Sequence, residues 1–547
     1  IAFGSLAAAG VPLMVGLVTT TVALGLAFGL SLFMPLSNLL QNIVTMIGLA
    51  VGIDYSLLMV SRFRELREGR TTEEAIAEVV GTAGVAVCYS GLTVMIGLLG
   101  LLATPLMETR SIGLGGAIVV VVSVLAAITL LPAVLSLLGH RIDWPAWLAR
   151  PLKNARAEAG WAWLAEVVMR RPVLTLVISG SLVLLLASPA TVGKTGFIAG
   201  NWFPEGMESR TGLEVLGRMG QASAIAPIDL VIRAPEGDPA VSMSTLPHLL
   251  RLSRDLKADE RVGQVLSPVD LREDLKPVHY ALLYRNLDQA IAQFPQIAEL
   301  FLSKDRTATL FQVIPADGVQ IDRAQQLARD LAAKQLGGGL SLEVGGTPAY
   351  YNDFNDRMRD AFPVAAGLVI GVTLVVLFVA YRSWLIPIKA VLMNLLAVGC
   401  GYGALVAVFQ LGWGAPLVGL EAPLSAIPLT IPLMMFCITF GLSMDYEIFL
   451  LSRIKEIYDE TGDNRLATAQ GLATTGSIIT SAAMVMVVVF GAFVSAEIVI
   501  LKMIGLGLAT AVLVDATLIR GLMVPAVMAI AGRWNWVPGD RHGRPGR

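Results

Sequence analysis

The sequence predicts a polytopic α-helical membrane protein made of two parallel helical halves, with an α+β domain of ferredoxin-like pattern on its outer side. Three observations carry this. Of 547 residues, 55% are hydrophobic and only 15% charged, a composition of the membrane class. Apolar stretches long enough to cross a hydrocarbon core about 30 Å thick recur along the chain. One unusual motif, an Asp-Tyr pair inside an apolar stretch, occurs at Asp54-Tyr55 and again at Asp445-Tyr446.

The second copy reads Gly441-Leu-Ser-Met-Asp-Tyr-Glu447, with Arg453 and Lys455 where the stretch ends. Asp445 lies roughly 12 Å before Arg453 on a helix rising about 1.5 Å per residue, which puts it near the membrane midplane. A carboxylate there costs at least about 2.5–3.5 kcal/mol, so a functional site is the default reading. A structural hydrogen bond between helices is the plain alternative. The first copy keeps the same offsets: Asp54 precedes Ser61, Arg62 and Glu65 as Asp445 precedes Ser452, Arg453 and Glu456. Two such pairs in one bundle argue against accident.

In chain order, residues 1–5 read as the last turn of a membrane helix, followed by spans at about 11–34, 40–60, 78–103 and 112–138. Residues 1–138 therefore form a first helical half. The charged hairpin 62–70 and a linker at 139–172 are cytoplasmic, because Lys and Arg are enriched on that side. The linker holds Arg141, Arg150, Lys153, Arg156 and Arg170, and Trp144, Trp147, Trp161 and Trp163 read as interfacial anchors. A span at 173–192 leads to an outer domain at 193–362. The second half, 363–531, has spans at about 363–381, 387–411, 427–451, 472–494 and 499–530, and a cytoplasmic tail occupies 532–547. Arg382 and Lys389, then Arg453 and Lys455, then Arg533 and Arg541 mark successive inner ends.

The halves match elsewhere too. Phe3-Gly-Ser5 pairs with Tyr381-Arg-Ser383, Thr82-Ala-Gly84 with Thr474-Thr-Gly476, and Leu131-Pro-Ala-Val134 with Val524-Pro-Ala-Val527. Both run in the same direction, so the repeat is parallel, about an axis along the membrane normal. The second half has a preceding span and outer domain, the first has neither, and the sequence opens on Ile1. The expectation is one more helix and one more outer domain upstream. Within the outer segment, strands are predicted at 228–233, 262–266, 307–314 and 340–344, and helices at 243–259, 285–303 and 320–335. With 285–303 set aside as an insertion, the order is βαβ–βαβ, the split pattern of a ferredoxin-like domain.

If the Asp-bearing helices pack across the pseudo-twofold axis, two Asp-Tyr pairs meet at midmembrane. Each tyrosine can donate to a carboxylate, and a carboxylate that gains and loses a proton there is what a proton carrier needs. The i+4 and i+7 positions add Leu58 and Ser61 to the face of Asp54, and Phe449 and Ser452 to that of Asp445. Ser90 and Thr93, and Thr480 and Ser481, sit on the following helices and are candidates for bonding the aspartates or holding water; the competing role is bonding back to their own helix. Glu447 points to the opposite face and its counterpart is Ser56, so the repeat gives it no essential role. Asp515 and Arg520 have no counterparts among Val122–Ala127 and, five residues apart, do not face each other on an α-helix. They read either as a pair between helices or as part of proton access.

Other chemistries find no support. Cys88, Cys400 and Cys437 lie in apolar stretches, and His140, His248, His279 and His542 lie outside them, which leaves no zinc spacing and no histidine relay. Gly193-Lys-Thr195 resembles the end of a phosphate loop, but Ser188 stands where its first glycine belongs. No cofactor other than the proton itself, no nucleic-acid partner and no enzyme activity is expected.

Gly52-Ile-Asp-Tyr55 with Ser61-Arg-Phe-Arg-Glu65, and Gly441–Glu447 with Leu451-Ser-Arg453, resemble the mycobacterial membrane protein large (MmpL) branch of the resistance-nodulation-division (RND) superfamily, and the likeness in span order covers essentially the whole chain. The resemblance implies an RND-type helix bundle with extracytoplasmic porter domains in a bacterial inner membrane. It also implies proton-motive-force-driven export of lipids or other hydrophobic molecules toward the outer envelope, with Asp54, Tyr55, Asp445 and Tyr446 as the proton relay. Membrane lipids, a homo-oligomer and envelope accessory proteins are the partners it suggests. Two readings compete: a lipid-sensing or scaffold protein on the same fold, and a proton-driven protein-secretion component.

Overall fold

The computed structural model describes residues 6–67, 69–143, 155–196, 206–235, 238–272, 274–316, 321–420 and 422–539. The first turn expected at residues 1–5, Trp144, Trp147, Arg150, Lys153, Arg541 and His542 lie outside these. So do the side chains of His140, Arg156 and Asp445. The chain divides into two units, residues 1–196 with 358–547, and residues 197–357.

Among the described residues, ten helices are long and apolar enough to span a membrane. The first half consists of α1 (Leu6–Ser31), α2 (Leu39–Leu66), α3 (Thr72–Val79), α4 (Val85–Leu99), α5 (Met107–Ile128) and α6 (Leu130–Leu138), with a π-helical turn Val80–Gly84 joining α3 to α4. A linker helix α7 (Ala155–Arg170) precedes α8 (Pro172–Ala187). The second half contains α14 (Thr347–Tyr381), α15 (Leu385–Leu405), α16 (Thr430–Thr461), α17 (Asn464–Ala492), α18 (Val499–Val514) and α19 (Val524–Ala531), with a second π-helical segment, Asp515–Met523, between the last two.

Local chemistry sets the helix ends on the charged side. Thr71 and Glu74 form a reciprocal capping box at the start of α3, and Asp463 accepts from the Arg465 and Leu466 amides at the start of α17, so each satisfies backbone donors that the first turn leaves open. Inside the first half, α1 and α2 approach so closely that only glycine fits. A Cβ on Gly48 would lie 2.6 Å from Thr20 Oγ1, and one on Gly52 would lie 2.9 Å from Gly16 Cα. Trp161 of α7 packs against Gly476 of α17, where a Cβ would meet its ring at 2.5 Å. Trp163 is exposed.

The second unit is a four-stranded antiparallel sheet of β1 (Ile228–Arg233), β2 (Val262–Leu266), β3 (Ala308–Pro315) and β4 (Ser341–Gly346), ordered β2-β3-β1-β4. With α10 (Leu246–Lys257) between β1 and β2 and α13 (Ile321–Ala332) between β3 and β4, this is the ferredoxin-like split arrangement. A further helix, α9 (Glu208–Arg218), precedes β1. The stretch expected as one helix at 285–303 is instead α12 (Leu287–Gln293) and a π turn Ile297–Phe301, and a further helix, α11 (Pro277–Leu283), precedes it. Pro295 lacks the amide that a continuous helix would need there. Alternating residues Ile228, Leu230 and Ile232 of β1 pack with Phe311 and Val313 of β3 against Leu249, Leu252 and Leu327 of the helices.

Two predictions follow from this packing. Gly52→Val is expected to lower the stability of the bundle by about 1–3 kcal/mol through overpacking, whereas Gly25→Val, whose Cβ meets nothing within 4 Å, leaves it unchanged; thermal unfolding followed by size-exclusion chromatography reads both. In the sheet domain, Arg261 grips both oxygens of Asp259 and reaches Asp330 at 2.7 Å. The Arg261 hydrogen bond holds Asp259 below the ordinary carboxylate range. A depressed carboxylate adds stability above its unfolded titration and loses it as pH falls through the folded one. Asp259→Asn should therefore flatten the acid limb of the domain's unfolding profile, measured by hydrogen exchange.

Candidate functional site in the membrane bundle

The site is built where the two halves meet. Asp54 and Tyr55 sit midway along α2 and are both buried. Tyr446 sits midway along α16, also buried. The Tyr446 phenol hydrogen-bonds to the Asp54 carboxylate, and the Arg520 guanidinium acts on that carboxylate through space. Arg520 also lies over the Tyr446 ring, 5.0 Å from its centroid, a favourable cation–π distance. The aspartate of one half thus takes its partners from the other. Asp445 occupies the equivalent place on the backbone of α16.

Asp54, Tyr55 and Tyr446 line a cavity of about 270 Å³, closed in by Ser90, Phe449 and Leu58 among others. Through shared walls at Leu58, Phe449 and Ser452 it adjoins a wider vestibule of about 910 Å³ that carries Arg62, Glu65, Arg453 and Glu456. Those charges form two matched ion pairs, Arg62–Glu65 at 2.9 Å and Arg453–Glu456 at 2.6 Å, the repeat expressed as geometry. The charged vestibule and the Asp54 cavity thus lie on either side of the same side chains.

The supporting residues divide. The Ser90 hydroxyl is buried and has no hydrogen-bond partner in the cavity wall. Thr93 donates to the Ser90 carbonyl at 2.7 Å and Thr480 to the Gly476 carbonyl at 2.7 Å, so both hydroxyls satisfy themselves on their own helices. Ser481 is half-buried and lines neither cavity. Asp515 and Arg520 depart from the expectation that they cannot face each other. They form a buried ion pair of 2.6 Å within one segment. The reason is the π-helical segment Asp515–Met523: its i→i+5 bonding widens the turn and brings residues five apart into line. Arg520 then donates to the Ser443 carbonyl on α16.

Two residues escaped the sequence reading. Lys389, expected at an inner membrane edge, is buried on α15, with its ammonium 2.7 Å from Met528 Sδ. Glu447, given no role by the repeat, is buried as well and is influenced by Lys389, Arg520 and Asp515. A Lys inside an apolar stretch was the available signal; its nearness to Arg382 in the chain disguised it as a flanking charge.

Residues 1–175 and 201–547 match the MMPL family. The chain belongs to that family. It is 35% identical over 551 residues to the mycolic acid-containing lipids exporter MmpL11 of Mycolicibacterium smegmatis, covering 98% of this chain and 53% of that protein. It is 33% identical over 542 residues to the heme uptake protein MmpL11 of Mycobacterium tuberculosis, covering 98% and 52%. Against the trehalose monomycolate exporter MmpL3 of the same species it is 31% identical over 567 residues, covering 98% and 56%. The chain thus spans about half the length of these curated relatives. Among solved structures it resembles the hedgehog release protein Disp from the water bear Hypsibius dujardini, with a TM-score of 0.61 and 15% identity, over 96% of this chain and 70% of that one, a likeness of fold. This MMPL-family chain is therefore an RND-type, multi-pass protein of the inner membrane.

The Asp515–Arg520 pair yields a test. Removing one partner of a buried pair typically costs about 3–5 kcal/mol, because the other charge is stranded. Arg520→Met alone should lower the melting temperature markedly, and Asp515→Leu combined with Arg520→Met should recover part of it, the remainder reflecting the lost contacts to Tyr446 and the Ser443 carbonyl, as read by thermal unfolding in detergent.

Proposed function

We propose that this protein couples inward proton movement to export of lipids or other hydrophobic molecules from the inner membrane toward the outer envelope. The observation that carries the reading is the Asp54–Tyr446–Arg520 contact across the two halves, at the end of an open charged vestibule. Protonating Asp54 removes the charge that holds Tyr446 and Arg520 to it, so proton occupancy changes an interaction between two bodies that must move for transport. Each proton crossing is worth about 2.3 kcal/mol per 100 mV, enough for one or two to bias a rocking equilibrium. Tyr55 and Asp445 complete the relay as the pseudo-symmetric pair. The chain acts as a transporter and not as an enzyme.

Lipid is the favoured cargo because two of the relatives are named as exporters of mycolic-acid lipids. The MmpL11 named for heme uptake makes heme a second hydrophobic cargo to try. Sensor, scaffold and protein-secretion roles all predict that lipid movement is indifferent to the aspartates. The deciding experiment follows pH-gradient-driven movement of a fluorescent lipid in proteoliposomes. Asp54→Asn, Asp445→Asn and Tyr446→Phe should each slow it at least about tenfold, since general proton transfer contributes about 10²–10⁴-fold. Movement at the wild-type rate in Asp54→Asn would sink the proposal.

A further inference from the structure

The two halves match in sequence, yet one face of their Asp-bearing helices is built in opposite ways. In the register that superposes Asp54 on Asp445, residues Gly48, Gly52 and Ser56 of α2 fall on Thr439, Ser443 and Glu447 of α16. In the register that matches Ser5 with Ser383, Gly16 and Val11 of α1 fall on Asn394 and Lys389 of α15. The first-half set is a dry seam. A Cβ on Gly48 would sit 2.6 Å from Thr20 Oγ1, one on Gly52 would sit 2.8 Å from Thr19 Oγ1 and 2.9 Å from Gly16 Cα, and the Ser56 hydroxyl is spent on the Gly52 carbonyl at 2.7 Å.

The second-half set is polar and unsatisfied. Asn394 is buried with neither its amide nitrogen nor its oxygen bonded, and Thr439 Oγ1, Glu447 Oε1 and Arg520 Nη1 are buried without a hydrogen-bond partner. Leaving such groups dry costs about 1–3 kcal/mol each, and ordered water is the usual remedy. The α16 members share a face. Four-residue steps along α16 place Met435, Thr439, Ser443 and Glu447 in one row. Met435 meets Gly401 of α15 and Gly507 of α18, Ser443 meets Asp515 and Arg520 of the π-helical segment, and Glu447 faces Lys389 of α15, Asp515 and Arg520, with Tyr381 of α14 also near it. Asn394 lies on α15 between the positions of Lys389 and Gly401. Successive members of the row are about 6 Å apart along the helix, a gap that one water bridges with two hydrogen bonds of about 2.8 Å.

We infer that the second half alone contains a water-bearing polar file, from Thr439 past Asn394 and Ser443 to Glu447 and Lys389, which conducts protons and meets the Asp54 cavity at Arg520. Its ligand is water carrying an excess proton. Glu447 is the exchanging carboxylate: it takes a proton from a water on the Thr439 side and returns it on the Lys389 side, with Lys389 as the fixed counter-charge. This rests on the proton-coupled reading above and adds an asymmetric path to it.

The experiment loads proteoliposomes with a pH-sensitive dye, imposes a potassium diffusion potential and records proton entry for the wild type, Asp54→Asn, Glu447→Gln, Lys389→Met with Glu447→Gln, and Asn394→Leu with Thr439→Val. Monodispersity by size-exclusion chromatography is checked for each. The file predicts that Glu447→Gln and Asn394→Leu/Thr439→Val slow proton entry at least tenfold, and that Lys389→Met/Glu447→Gln, which removes both charges and keeps the fold, stays equally slow. If that double variant conducts as the wild type does, Glu447 only neutralises Lys389 and the file is overturned. If the Glu447 and Asn394/Thr439 variants conduct normally while Asp54→Asn is blocked, the Asp-Tyr relay stands without the file. If Asp54→Asn conducts normally and Glu447→Gln is blocked, the file stands and the Asp-Tyr relay falls.

Discussion

The cost of holding a charge in a low-dielectric interior organises this bundle. A lone carboxylate at Asp54 is tolerable only with partners, and the partners it has, Tyr446 and Arg520, belong to the opposite half. That single fact makes the titration of one side chain a statement about how two helical bodies are joined. Arg520 in turn is held by Asp515 and by the Ser443 carbonyl, so the chain of compensation extends from α2 across α16 into the π-helical segment. No link in it is an isolated ion pair whose loss stays local.

Much of this was legible in the sequence because the signals were periodic or repeated. The spans followed from apolar length, and the strands at 228–233 and 262–266 from alternation bounded by turns. The doubled Asp-Tyr motif singled out the candidate site. What stayed hidden was of a different kind. The Asp515–Arg520 pair was unreadable because a spacing of five means opposite faces on an α-helix, and nothing in the residues announces a π-helical segment. The burial of Lys389 went unread because the positive-inside rule counts charges by their distance from span ends, and contact with Met528 is a tertiary fact. Glu447 was set aside because its counterpart is Ser56, an inference that assumes the halves do the same work.

That assumption is where sequence symmetry and physical symmetry part. The repeat is strong in register and weak in packing. Gly16, Gly48 and Gly52 let α1 and α2 touch backbone to backbone, the close approach that small residues permit in membranes. The corresponding Asn394, Thr439 and Ser443 place buried polar atoms there instead. A seam of glycines resists water; a seam of amide and hydroxyl groups invites it.

Helix α16 consequently presents different chemistry on two faces. Tyr446, Phe449 and Ser452 look into the Asp54 cavity and the vestibule beyond it, while Thr439, Ser443 and Glu447 look toward α15 and the π-helical segment. The faces come together at Arg520, which reaches Tyr446 on one and Ser443 on the other. In the proposed cycle, a proton that arrives along the polar face and leaves along the cavity face passes that guanidinium, whose fixed positive charge opposes a continuous proton wire. In that proposed cycle, passage is tied to Arg520 loosening its hold on Asp515 and the Ser443 carbonyl. An exchanger needs such an obligation, because protons that crossed without it would dissipate the gradient and move nothing.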